Sequence, residues 1–294
     1  VTATETTTFG DRLEQAFAER GRLCVGVDPH ASLLDAWGLD DSAAGVREFG
    51  LRVVDAVYGR AGILKPQVSF FERHGAAGFA ALERVLARAR DAGLVVIGDA
   101  KRGDIGSTVE AYGEAWLRPG SPLEVDAVTL SPYLGLGSLA STLAYAAERG
   151  KGAFVLAATS NPEAAALQQA VLQTSSRAGS TVAAAMLSGV AAFNAAQPEA
   201  SAKSTGSMGV VIGATLRLED FGIDRQSPPD GPVVPVLAPG YGAQGARPAD
   251  TKTIFGALAR GVIVSESRSV LGAGPDGIVD AVSRRVEEIG GLDV

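Results

Sequence analysis

Eight short apolar runs recur along the chain, each running out into Gly, Pro, Asp or Ser. They are LCVGVD (23–28), GILKPQ (62–67), LVVIGDAK (94–101), AVTLSP (127–132), AFVLAATS (153–160), GVVIGAT (209–215), VVPVLAPG (233–240) and GVIVSES (261–267). None alternates apolar with polar residues, as a strand with one wet face would. Continuous runs of this length predict strands buried on both faces, the condition of a parallel sheet. Between them, apolar positions recur at three- and four-residue steps in FGDRLEQAFAERG (9–21), AAGVREFGLRVVDAVYGRAG (43–62), GFAALERVLARARDAG (78–93), LASTLAYAAERG (139–150), PADTKTIFGALARG (248–261) and GPDGIVDAVSRRVEEIGG (274–291). These spacings predict amphipathic helices, with Gly93 as a C-terminal stop. Strands alternating with helices place the chain in the α/β class as a (β/α)8 TIM barrel. A doubly wound open sheet is the alternative, and eight regular units favour closure.

One stretch breaks the rhythm. Residues 161–208 are long for a single crossover and rich in Ala, Ser and Gln. LQQAVLQTSSRAG (167–179) and TVAAAMLSGVAAFNAAQ (181–197) predict two helices, hence a decorated crossover within one domain spanning 1–294. The first dozen residues are expected to fray ahead of a helix that covers the bottom of the barrel.

Composition narrows the partners. A net charge of −7, with no local run of Lys or Arg, argues against a nucleic-acid partner. No apolar run reaches the roughly 18 residues of a membrane span, and VTATETTTFGDRLEQ lacks the basic and apolar regions of a signal peptide. The expectation is a soluble, cytoplasmic protein that contacts no membrane. Cys24 is the single cysteine and reads as a small buried hydrophobe. His30 and His74 belong to no ligand-spaced motif, and Trp37 and Trp116 read as packing residues.

In a barrel of this kind catalytic groups gather where strands end and βα loops begin. Those ends carry Asp28, Lys65, Asp99 with Lys101, Ser131, Ser160, Thr215, the PGYGAQG loop and Arg268. Asp99 and Lys101 are two apart and share a face, with Val96 and Leu94 expected lower down on it. Isolated buried charges are costly, so opposed charges at a barrel mouth should pair. Lys65 is the natural partner of Asp99, and with Asp28 nearby the result is an alternating Lys-Asp-Lys-Asp set. A plain salt-bridge network tying the strand tops together is the competing reading. Asp104 lies beyond the strand, free to turn back or to reach a neighbouring subunit, and Arg102 reads as a pairing or interface residue. Near the C-terminus, APGYGAQGARPAD (238–250) opens a helix and SESRSVLGAG (265–274) follows the last strand. Gly242 and Gly245 permit close approach, Gln244 offers an amide and Arg268 a bidentate charge, a combination suited to phosphate.

DAKRGDIGST (99–108) resembles the Asp-x-Lys-x-x-Asp-Ile-x-x-Thr signature of the orotidine 5′-phosphate decarboxylase family, and GVDPH, GILKPQVSFFERHG, APGYGAQG and SRSVL resemble motifs of its longer, mostly bacterial (type 2) branch. The resemblance runs from about residue 22 to 285 and is weakest between Asn161 and Gly209. It implies a ribulose-phosphate-binding-like barrel that decarboxylates orotidine 5′-phosphate without cofactor or metal, as a homodimer with shared active sites. It also implies the roles. Lys101 would protonate C6, Asp99 would lie against the substrate carboxylate, and Lys65 would sit between Asp99 and the ribose. Asp104 and Thr108 would reach the partner subunit's site, Asp28 would hold a ribose hydroxyl and Ser160 the pyrimidine amide edge. Gln244 and Arg268 would grip phosphate under a lid at 240–250. Two alternatives stand: a Mg²⁺-dependent sugar-phosphate decarboxylase or aldolase of the same superfamily, which holds its metal through an acid where this chain has Lys65, and a non-catalytic barrel that binds a phosphate ligand.

Overall fold

The computed structural model describes residues 7–290 except 175 and 199. Its eight strands form a closed parallel barrel in chain order: β1 (Leu23–Val27), β2 (Ile63–Pro66), β3 (Val95–Arg102), β4 (Ala127–Leu130), β5 (Gly152–Ala158), β6 (Met208–Ile212), β7 (Val236–Pro239) and β8 (Val262–Glu266). Every predicted run holds one strand, and β1 pairs with β8 to complete the (β/α)8 TIM barrel. The outer helices are α2 (Ala43–Val57), α3 (Gly75–Asp91), α4 (Gly106–Leu117), α5 (Ala140–Glu148), α6 (Val182–Ala195), α7 (Thr251–Phe255) and α8 (Gly274–Gly290). Among the described residues no helix is long and apolar enough to cross a membrane.

Strand periodicity divides the apolar residues into two layers. Cys24, Ile63, Val95, Ile97, Ala127, Phe154, Val211, Leu237 and Ile263 fill the interior, while Val25, Leu64, Val96, Val128, Val155, Val210, Val236 and Val264 face the helices. Leu94 and Val96 therefore belong to the outer layer, and it is Val95 and Ile97 that lie beneath Asp99. The physical reason is the two-residue period itself: a side chain shares its face with odd-numbered neighbours when it is odd. Cys24 is fully buried and burial pushes its thiol up to about 12, which suits an inert core residue.

The bottom of the barrel is closed by α1 (Phe9–Arg20). Phe9, Leu13 and Ala16 of this helix join the interior cluster, and the Phe9 ring meets Phe154 edge to face at 5.9 Å. Thr8 caps the helix by accepting from the Asp11 amide while the Asp11 carboxylate accepts from the Thr8 amide, a reciprocal pair that starts the helix at Phe9. The expected frayed dozen is thus too long: Thr8 to Arg12 are capped or helical, and residues 1–6 lie outside the described residues.

Two further expectations are corrected. The crossover after β5 holds one long helix, α6, and not two. Residues Pro162–Ala164 and Ala165–Gln168 make single turns, and Val171 then pairs antiparallel with Thr181 as the chain doubles back. The segment 167–179 carries one Thr, two Ser and Gly179 towards its end, which favour turns over a continued helix. Similarly, 248–261 is broken into short turns around α7, because Gly256 (φ +55°) lies against the Arg225 carbonyl and ends the α-helix.

Truncating the plug should be costly. Phe9→Ala is expected to lower stability by about 3–5 kcal/mol, measured by urea unfolding. A loss under about 1 kcal/mol would show that the barrel floor closes without it.

Candidate functional site at the barrel mouth

Lys65 ends β2 on its inward face and is buried, although an unpaired ammonium there would be strongly disfavoured. Its Nζ lies 3.0 Å from Asp99 Oδ2, and the Nζ of Lys101 lies 2.6 Å from Asp99 Oδ1. Asp99 therefore bridges two ammonium groups, one per carboxylate oxygen. Side-chain exposure separates the three: 8% for Lys65, 10% for Asp99 and 43% for Lys101, so only Lys101 offers its charge to the open mouth. Gln67 completes the surround. With its amide nitrogen toward Asp99 it donates to the main-chain oxygen at 2.9 Å and to Oδ2 at 2.8 Å, and its oxygen accepts from Lys101 Nζ at 3.2 Å.

Burial opposes both charges, and pairing overcomes it. For Asp99, desolvation pushes the carboxyl up, but Lys65 and Lys101 together hold it down at about 2. For Lys65, desolvation pulls the ammonium down, while Asp99 and then Asp28 raise it above its ordinary value. Asp28 thus contributes field to Lys65 without a direct bond, and its Oδ1 is buried with no hydrogen-bond partner. Lys65, Asp99 and Lys101 thus form a bonded chain, with Asp28 beside it and not part of it.

Lys101 has the one positive φ outside glycine among the described residues, +47°. A side chain in that left-handed region costs on the order of 1–2 kcal/mol. The cause is an irregularity where β3 meets β4. Pairing moves from Gly98–Val128 to Arg102–Leu130, so β3 advances four positions while β4 advances two. The surplus bulges at Asp99–Lys101, as is common beside active sites. Thr129 fills the gap: its Oγ1 accepts the Lys101 amide at 2.9 Å and donates to Asp99 Oδ1 at 2.9 Å. Beyond the bulge Arg102 pairs with Glu72 at 2.9 Å and lies over the Tyr112 ring, the pairing expected of it.

The remaining candidates form a rim. Asp104 does not join the charge chain; its Oδ1 accepts from the Ile105 amide at 2.8 Å, and Thr108 is exposed on the first turn of α4. Ser160 is exposed two residues past β5, beside Thr159, whose amide and hydroxyl are held by the Gln168 side chain. Across the mouth, Gly26 lets the loop after β8 approach β1: a methyl on it would sit 1.9 Å from Ser267 Oγ. Gly242 (φ +65°) opens a single turn, Gly242–Gln244, and a methyl there would meet Ser269 at 2.6 Å and Glu266 Oε2 at 2.8 Å. The side chains of Gln244 and Arg268 are both exposed, on adjacent loops after β7 and β8.

These strand-top charges and the two terminal loops lie in a region matched by a family model. The model for the orotidine 5′-phosphate decarboxylase / HUMPS family covers residues 21–279. The chain belongs to the orotidine 5′-phosphate decarboxylase family. Among its relatives, the orotidine 5′-phosphate decarboxylase of Streptomyces coelicolor is 51% identical over 271 residues, 91% of each chain. That of Salinispora arenicola is 49% identical over 268 residues, again 91% of each. A crystal structure of a Streptomyces avermitilis protein assigned to the same activity superposes with a TM-score of 0.85 at 46% identity, covering 99% of this chain and 97% of that one.

Within this family's architecture, two residues of the charge cluster escape a reading of motifs. Gln67 sits in KPQ immediately past Lys65, and Thr129 sits inside an apolar run, where a threonine reads as an ordinary strand former. The signal that finds Thr129 is positional: it is the polar residue on the inward face of β4, next to the strand that carries Asp99.

Because Asp99 is more acidic in the folded chain than in the unfolded one, its contribution to stability is complete above about pH 4 and disappears as pH falls toward 2. A carboxyl ¹³C titration should find Asp99 ionised down to about pH 2. A midpoint above 4 would refute the bridging geometry.

Proposed function

We propose that this chain is a carboxy-lyase that converts orotidine 5′-phosphate to uridine 5′-phosphate and carbon dioxide, the last step of de novo UMP synthesis, without a cofactor. The observation that carries the reading is the carboxylate of Asp99 held between a buried and an exposed ammonium at the barrel mouth. Relatives of the same length that carry the activity in their names support it.

The chemistry follows from that arrangement. When the bond from C6 to the carboxylate breaks, its electron pair stays on C6 as a vinylic carbanion and carbon dioxide departs. Lys101 supplies a fixed positive charge for the developing carbanion and then its Nζ proton to C6, leaving a neutral amine that solvent reprotonates. A preorganised charge of this kind is the dominant catalytic term in many enzymes. Asp99, already ionised, faces the substrate carboxylate, and that repulsion ends as the carboxylate leaves. Lys65 keeps Asp99 ionised, and Asp28, whose Oδ1 has no partner, accepts from a ribose hydroxyl. Thr108 of the partner subunit meets that ribose too, and Ser160 bonds the pyrimidine amide edge. Gln244 and Arg268 close on the 5′-phosphate with the 240–250 loop, so that remote binding energy assists the reacting centre.

The Mg²⁺-dependent alternative fits less well, because a divalent cation at Asp99 would meet Lys65 at 3.0 Å from the same carboxylate. We further propose a cytoplasmic homodimer. Ile105, Tyr133 and Leu134 are 61%, 77% and 54% exposed on the loops after β3 and β4, which touch at Gly103 and Ser131, and a second copy would cover this apolar surface. In that assembly Asp104 serves the neighbouring site.

Three outcomes are expected. Lys101→Ala should bind uridine 5′-phosphate yet lose turnover of orotidine 5′-phosphate by at least about 10³-fold in an absorbance assay; near wild-type turnover would remove the lysine from the mechanism. EDTA should leave turnover unchanged, and restoration by Mg²⁺ after loss would favour the metal-dependent reading. Mixing Asp104→Ala with Lys101→Ala protein should regain activity through one intact site per heterodimer. No recovery, with heterodimers shown to form, would return Asp104 to its own subunit.

A further inference from the structure

We infer that Thr129 is a positioning residue for Lys101: its hydroxyl holds the β3 bulge in the conformation that brings the ammonium to the reacting carbon. The inference rests on Lys101 as the proton donor. Three observations on the geometry carry it.

The first is the direction of the hydrogen bonds. A hydroxyl has one proton, and the Lys101 amide is only a donor, so Thr129 Oγ1 must accept from it and give its own proton to Asp99 Oδ1. Neither bond can reverse. The second is closure. Asp99 Oδ1, the oxygen that receives the Thr129 proton, also receives the Lys101 ammonium at 2.6 Å. Both ends of Lys101 are therefore referred to a single oxygen, the Nζ directly and the amide through the Thr129 hydroxyl. The third is the interruption of the ladder. Between Gly98 and Arg102 the pairing of β3 with β4 lapses, and the Lys101 amide would be left without its strand partner. Thr129 supplies that partner, and does so in a buried position 1% exposed, where no water competes.

The hydroxyl is not needed by β4 itself. Thr129 continues the regular register with β5 opposite Phe154, and its neighbours Val128 and Leu130 pack in the outer apolar layer. A valine at this position keeps the branched shape that suits a strand and removes only the two hydrogen bonds. Lys101 would then be free to leave the left-handed region for ordinary extended backbone, carrying its ammonium off Asp99.

The test compares Thr129→Val with Thr129→Ser. Thr129→Val should lower kcat for orotidine 5′-phosphate about 100-fold, the scale of a misplacement near 1 Å. KM, and the affinity for uridine 5′-phosphate measured calorimetrically, should stay within about 3-fold, because the phosphate and ribose contacts lie elsewhere. Exchange of the C6 proton of uridine 5′-phosphate into deuterated water, followed by NMR, should fall in parallel with kcat, since it reads the lysine–carbon approach directly. Thr129→Ser should restore kcat and exchange to within about 3-fold of the parent. If Thr129→Val does not yield folded protein, Thr129→Ala, which lacks the hydroxyl as well, serves the same comparison. A kcat within 2-fold of the parent for the valine variant, or a serine variant as impaired as the valine one, overturns the inference. Lys101→Ala in the same assays separates the two levels: if it retains turnover, the assignment of the donor fails; if it is inactive while Thr129→Val is not, the positioning role alone fails.

Discussion

A carboxylate held away from water between two ammonium groups organises everything at the mouth of this barrel. Asp99 can remain ionised there only because Lys65 and Lys101 each take one of its oxygens, and Lys65 can remain charged only because Asp99 and Asp28 face it. Removing any member would strand a neighbouring buried charge, at a cost of several kcal/mol. Such a cluster is weak evidence for stability, since apolar residues of equal volume would fill the space more cheaply. Its place at the ends of strands β2 and β3, at the barrel mouth, therefore supports the proposed chemical role over a packing one.

The site divides into a rigid floor and an open rim. Lys65 and Thr129 are buried and Asp99 nearly so, all three stand on strands with their side chains hydrogen-bonded, and below them Ile97, Val95 and Ile63 form a dry layer down to Phe9 and Phe154. By contrast Ser160, Gln244 and Arg268 reach solvent from loops. This division suits a reaction whose charge stabilisation must be preorganised while its substrate is admitted and released. Groups on strands keep their geometry between turnovers, and groups on loops gain theirs from the ligand's own binding energy.

How much of this was legible follows from which physics is local. Strands announce themselves by unbroken apolar runs, and the opposed charges of Lys65, Asp99 and Lys101 stood at the ends of adjacent runs, so their pairing could be argued from burial cost alone. The residues beneath Asp99 were misjudged because the two-residue period was counted from the wrong neighbour; Ile97 and Val95 occupy the inward face. The crossover helix expected at 167–179 failed because apolar spacing there competes with Ser, Thr and Gly that favour turns, and the chain resolves the conflict by pairing Val171 with Thr181. Thr129 and Gln67 were missed for another reason. The inward position of Thr129 on β4 was readable, but its role depends on a pairing irregularity with β3, and that of Gln67 on the contacts it makes across to Asp99 and Lys101; no single strand's pattern records either.

That irregularity is a single cause with two effects. In a regular strand Asp99 and Lys101 would both point inward about 7 Å apart along the chain, and the lysine would run on past the carboxylate. The bulge turns Lys101 through a left-handed residue and folds its ammonium back onto Asp99 Oδ1. The same surplus of backbone lets Arg102 lock onto Glu72 and Tyr112 on the outer side. It then delivers Gly103 against the Ser131 carbonyl with so little room that a methyl would sit 2.3 Å from it. From that fixed point the chain leaves the barrel with the Asp104 carboxylate accepting from the Ile105 amide and Ile105 in solvent. One register shift, satisfied by one threonine, thus folds the lysine onto Asp99 and leaves the next acid outside the charge cluster. Two charged residues three positions apart in sequence acquire opposite destinations without any change in the helices that support them.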